Sequence, residues 1–100
     1  MFKPHTPRVV CADGFSISIQ ASERNYCSPR ENEGPYSMVE CGFPSEKPGW
    51  EMMTYAENGL DPTNTVYGWV PVDVVKRELE SHGPILLSPP FIIDLFFKGL

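Results

Sequence analysis

The chain offers few residues able to do chemistry, and their spacing narrows the choice further. Cysteines stand at positions 11, 27 and 41, and the two histidines are His5 and His82. The cysteine intervals hold 15 and 13 residues, with no C-x-x-C pair. Structural zinc sites normally use such a pair, because one tight turn presents two thiolates together. No metal site is therefore expected. Cys11 and Cys41 fall within apolar stretches and read as small hydrophobes, which leaves Cys27 as the candidate for an exposed thiol. Catalysis by Cys27 or Ser28 would need a base within hydrogen-bonding reach, and nothing in the sequence places either histidine beside them. The phosphate-cradling, nucleophile-elbow and zinc-protease motifs are all missing. Neither an enzymatic activity nor a cofactor is expected.

What remains is recognition. The stretch "NYCSPRENEGPYS" from Asn25 to Ser37 is polar and has no periodicity. Arg24, Tyr26, Ser28 and Arg30 alternate at its start, so an extended backbone would point their side chains the same way. Two guanidiniums, a phenol and a hydroxyl suit a phosphate or a carboxylate, with Arg24, Tyr26 and Arg30 as the anion-binding group. The other reading pairs Arg24 and Arg30 with Glu23, Glu31 and Glu33, so that the charges hold the loop. Unstructured loops longer than about 12–15 residues are uncommon in compact domains and are usually functional or disordered. Glu23, Arg24, Tyr26, Ser28, Arg30, Glu31, Glu33 and Tyr36 are thus expected to form the surface that meets a partner.

Charge supports a partner of opposite sign. The net charge is −5, and the section from Ser22 to Asp61 has eight acids against three bases, so it carries the whole excess. An acidic centre repels nucleic acid and favours a basic protein surface, although an ordinary solvated surface has the same composition.

These residues must be positioned by a small fold. With 100 residues, one domain is expected. Hydrophobic residues make up 41% and charged residues 21%, which places the chain among globular sequences. "RVVCADGFSISIQA" predicts a β-hairpin: Asp13-Gly14 suits a two-residue turn, and Phe15, Ile17, Ile19 and Ala21 alternate with polar residues. "SMVECGF", "WEMMTYA" and "TVYGWV" predict three more strands, with Tyr67 and Trp69 on one face of the last. Gly68 would let a neighbour approach the sheet. In "PVDVVKRELESHG", Val72, Val75 and Leu79 recur at helical spacing between a leading proline and Gly83. The expected fold is α+β: an antiparallel sheet of about five strands, one helix over 71–82 on one face, and an apolar C-terminal segment. The core should lie within about 8–83.

The segment 84–100 is the odd part. Ile85, Leu86 and Leu87 could form a short strand. Beyond Pro89-Pro90, the residues Phe91, Ile92, Ile93, Leu95, Phe96 and Phe97 are strongly apolar for a terminus. Such an end is a liability unless it docks, either on a second copy in a homodimer or on its own domain. No apolar run approaches the roughly 20 residues of a membrane helix, and the first residues lack the pattern of a secretory signal. A reduced cytoplasmic setting is expected.

The strings "CADGFS", "YCSPR", "GFPSE" and "TVYG-V-PV-VV" carry a resemblance that spans Arg8 to Gly83. The sequence resembles a group of small proteins encoded by tailed bacteriophages and prophages. That resemblance implies a host bacterial cytoplasm during infection, and an accessory protein rather than a capsid one. It assigns no functional residues. Three readings of function follow from it and from the residues. The first is an inhibitor of a bacterial defence system or host factor, of the anti-CRISPR type, binding a basic protein surface. The second is a binder of a small nucleotide signal. The third is a minor phage enzyme.

Overall fold

The computed structural model describes residues 8–93 and 95. The elements run β1 (Val9–Cys11), β2 (Ser16–Gln20), β3 (Met38–Gly42), α1 (Trp50–Met53), β4 (Val66–Pro71), α2 (Val72–Glu80), β5 (Ile85–Leu87) and α3 (Phe91–Ile93). The five strands form one sheet in the order β4-β3-β2-β1-β5, and every pairing is antiparallel. The fold is α+β, as the alternation of periods implied. Among the described residues, no helix is long and apolar enough to cross a membrane.

The hairpin forms where the sequence placed it, but with a different turn. Gly14 N–H donates to Cys11 O at 3.0 Å, Cys11 N–H donates to Phe15 O at 2.9 Å, and Gly14 has φ of 94°. Three residues, Ala12 to Gly14, therefore span the turn. Asp13 is not at positive φ, which rules out the two-residue type I′ geometry. Asp13 Oδ1 instead accepts the Phe15 N–H at 2.9 Å.

One face of the sheet carries Val9, Cys11, Ile17, Ile19, Val39, Cys41 and Tyr67, all buried. Val74, Val75 and Leu79 of α2 pack into the same core. Pro71, the last residue of β4, is the N-cap of α2, with φ of −56° and ψ of 140°, so the helix begins one residue later than the sequence suggested. The stretch expected as a strand at "WEMMTYA" contains α1 instead. Trp-Glu-Met-Met has no β-branched residue and no alternation, and unbranched Met and Glu favour helix. Only Ala56 bridges to the sheet, opposite Tyr67.

The described part of the C-terminal segment closes on its own domain. β5 lengthens the sheet beside β1, with Val10 opposite Leu87. Ile92 and Leu95 are buried in the core, and Phe91 packs against it. The Ile93 side chain and Phe96 and Phe97 lie outside the described residues.

Candidate functional site

The opposite face of the sheet explains the long loop. Gln20 pairs with Glu40, and Ser18 with Gly42, so Ser18, Gln20 and Glu40 share the face that faces away from α2. All three are buried. A polar face without cover would be wet; here Asn25 and Tyr26, from the segment that follows β2, lie over it at Glu40.

Glu40 is the fastener. Its side chain is fully buried. Its Oε1 accepts the Tyr26 N–H at 2.9 Å, and its Oε2 accepts from Asn25 Nδ2 at 3.2 Å. Burial pushes its pKa above the ordinary value, against the pull of these two donors. Ser22 Oγ donates to Asn25 Oδ1 at 2.6 Å and fixes the asparagine. Beyond the anchor, Ser28 pairs with Met38: Ser28 N–H donates to Met38 O at 3.0 Å, and Ser37 N–H to Ser28 O at 2.8 Å. The exposed tip is thus reduced to the stretch between Ser28 and Ser37.

A β-bulge builds the outer surface. Val39 opposes Val70 and Cys41 opposes Tyr67, so Gly68 and Trp69 together face Glu40. Trp69 takes φ of 49°, a left-handed conformation unusual for a bulky side chain. Its N–H donates to Tyr26 O at 2.9 Å. The bulge breaks the strand's alternation. Tyr67 and Val70 both enter the core, while Trp69 stays 46% exposed. Tyr67 and Trp69 therefore do not share a face, contrary to the simple period of two. Tyr26 packs over Gly68, where a Cβ would already be in contact at 3.4 Å.

The result is a three-group stack. The Tyr26 and Trp69 rings have centroids 4.6 Å apart and planes 20° apart, and the Arg30 guanidinium lies 5.5 Å from the Tyr26 centroid. Glu23 N–H donates to Asn32 Oδ1 at 3.1 Å, which draws Glu23 to the tip that holds Glu31 and Glu33. Tyr36 donates its hydroxyl to Glu31 O at 2.9 Å and braces the tip. Glu23, Arg24, Arg30, Glu31 and Glu33 are all exposed. Among the described residues, neither Arg24 nor Arg30 forms an ion pair; the ion pairs there lie at Arg77–Glu51 and around His82. Glu40 and the backbone hold the loop, then, rather than its own opposite charges.

Of the loop residues expected to meet a partner, Tyr26 and Arg30 come together, and Tyr36 and Ser28 brace the loop. Trp69 was missed as a surface residue, and the positive-φ bulge has no mark in the sequence beyond Gly68. Cys27 is not the exposed thiol that its polar neighbours suggested. It is buried, with Sγ 3.2 Å from Ser22 O and 3.3 Å from Pro29 O, and burial raises its pKa.

A second polar cluster sits at the end of α2. His82 lies with Nδ1 2.7 Å from Asp13 Oδ2 and Nε2 2.8 Å from Glu78 Oε2. Burial alone would lower its pKa, but the two carboxylates outweigh that and raise it. A cleft of about 380 Å³ opens beside it between α1 and α2, lined by Lys47, Trp50 and Arg77 among others. No family model matches the chain, and no curated protein or solved structure does either.

Proposed function

We propose that this protein is a non-catalytic inhibitor from a bacteriophage or prophage, which binds a bacterial defence or host protein through the Glu23–Tyr36 loop and Trp69. The observation that carries this reading is the Arg30–Tyr26–Trp69 stack, half-exposed and fixed from beneath by buried Glu40. Tryptophan, tyrosine and arginine are the residues that most often dominate binding energy at protein interfaces. A stack already ordered in the free protein loses little side-chain entropy on binding. Glu23, Glu31 and Glu33 surround it with negative charge, which suits a basic surface such as the nucleic-acid channel of a defence complex. The sequence resemblance supports the phage setting and the host cytoplasm.

The test is capture of the target from host lysate, followed by affinity measurement over a range of salt. A basic target gives binding that weakens steeply with salt. Reversing Glu23, Glu31 and Glu33 to lysine abolishes it, and Arg24→Ala changes little. A second reading has one observation in its favour, the Arg30 guanidinium on Tyr26 with no carboxylate partner among the described residues. An anionic nucleotide signal would use Arg24, Tyr26 and Arg30. In that case Arg24→Ala and Arg30→Ala remove binding, the acidic reversals do not, and the inhibitor reading fails.

A further inference from the structure

His82 is the point where three segments of chain meet. Glu78 Oε1 accepts the Gly49 N–H at 2.8 Å, while its Oε2 faces His82 Nε2 at 2.8 Å, so this carboxylate is fixed from both sides. The imidazole also stacks on Phe15, with centroids 3.8 Å apart and planes 3° apart, which sets its orientation. Its other nitrogen, Nδ1, looks outward at Asp13 Oδ2, 2.7 Å away, and Glu46 Oε1, 3.8 Å away. All three donor atoms lie within 4.8 Å of one another. With the Nε2 proton directed at Glu78, the Nδ1 lone pair and two carboxylate oxygens converge on one region. While Nδ1 carries a proton, that proton bridges to Asp13 Oδ2; once it has left, a bound cation can take its place among the three electron-rich atoms.

We propose that Asp13, Glu46 and His82 form a binding site for a divalent transition-metal ion, with Glu78 orienting the imidazole from behind. The donor set favours this class. One imidazole and two carboxylates suit zinc, cobalt(II) or manganese(II); calcium prefers an all-oxygen shell, and copper(I) prefers sulfur. A carboxylate on the far nitrogen of a ligating histidine is the usual second partner at such sites, and it fixes both tautomer and ring angle. The donors come from the β1–β2 turn, the segment after β3 and the end of α2. A bound ion therefore joins three segments that are distant in sequence. Cys11, Cys27 and Cys41 are all buried and do not compete for it in the folded protein.

The test is titration of zinc and of cobalt(II) into the full-length protein in mildly alkaline buffer. Calorimetry reads both ions, visible absorption reads cobalt, and thermal unfolding is followed with and without zinc. The expected result is one ion per chain and a higher unfolding temperature with zinc. Glu46 is exposed and meets the ring at 3.8 Å, so Glu46→Gln keeps the fold and weakens binding about tenfold or more. His82→Gln abolishes the cobalt signal, whereas His5→Gln, at the only other histidine in the sequence, leaves it unchanged. The proposal is overturned by the lack of saturable binding, by affinity that Glu46→Gln does not alter, or by a signal that disappears with His5 and survives the loss of His82.

Discussion

At the scale of single residues, Glu40 and Trp69 decide whether the loop has a shape. Glu40→Ala would leave the Tyr26 N–H and the Asn25 amide without an acceptor in a buried place. An unsatisfied buried donor costs about 1–3 kcal/mol, so urea unfolding should show a loss on the order of 3 kcal/mol. A pH dependence accompanies it. Burial holds the Glu40 pKa above its ordinary 4.5, so between the unfolded and the folded value the native state binds a proton more tightly than the unfolded chain does. Its contribution is complete below the unfolded value and declines as pH rises through the raised folded one. Glu40→Gln does not titrate and lacks this decline; parallel pH profiles for the two proteins would refute the assignment. Trp69 supplies the second test. Its φ of 49° costs an L-residue about 1–2 kcal/mol, which glycine avoids. Both Trp69→Ala and Trp69→Gly lose the stack on Tyr26, so their difference isolates the backbone. The glycine variant should be the more stable by roughly 1 kcal/mol, while neither binds the target as the wild type does. Equal stability would mean that the bulge relaxes without Trp69.

At the scale of elements, regular patterns were legible and departures from them were not. The hairpin, β3, β4 and α2 follow from alternation, from turn residues and from Val72, Val75 and Leu79 at helical spacing. α1 was not, because four residues are too few to show a period and the aromatic content of "WEMMTYA" resembles a strand. The candidate site was half legible. Length and composition marked the loop, yet Glu40 reads as one more acid in an alternating strand. Its partners Asn25 and Tyr26 lie far back in sequence, and no local pattern joins them. The bulge at Gly68-Trp69 was hidden for a similar reason: two residues opposing one is a property of the pair of strands, not of either strand. The apolar tail posed a choice between a second copy and the chain's own core, and Ile92 enters the core with 1% exposure. Ile92→Ala should therefore cost about 2–5 kcal/mol, the range for emptying a buried aliphatic site. The expected signature is a lower unfolding midpoint that does not depend on protein concentration. A midpoint that rises with concentration in the wild type and not in the variant would instead place Ile92 at a contact between copies.

At the scale of the whole molecule, α2 packs on one face of the sheet and the loop is fastened to the other at Glu40 and the Gly68–Trp69 bulge. The acidic excess of the sequence is also redistributed. Glu40 is buried, Glu51 receives two hydrogen bonds from Arg77 at 3.0 and 2.8 Å, and the Glu23–Glu31–Glu33 group is left exposed around the aromatic stack. The loop thus has a structural root and an exposed tip, and replacing each part should do different things. Replacing the whole of Glu23 to Tyr36 with a glycine-serine link removes buried Asn25 and Cys27 and takes both donors from buried Glu40, so the protein should lose its cooperative unfolding transition. Replacing only residues 30–34 leaves the Glu40 anchor and the Ser28–Met38 bridge intact. That protein should unfold near the wild-type midpoint. It loses Arg30, Glu31 and Glu33 together, so it should bind its target weakly and with little response to salt. The pair separates structure from recognition within one segment. If the tip variant keeps both affinity and salt dependence, the contact surface lies elsewhere on the molecule, and the loop serves only to cover the sheet.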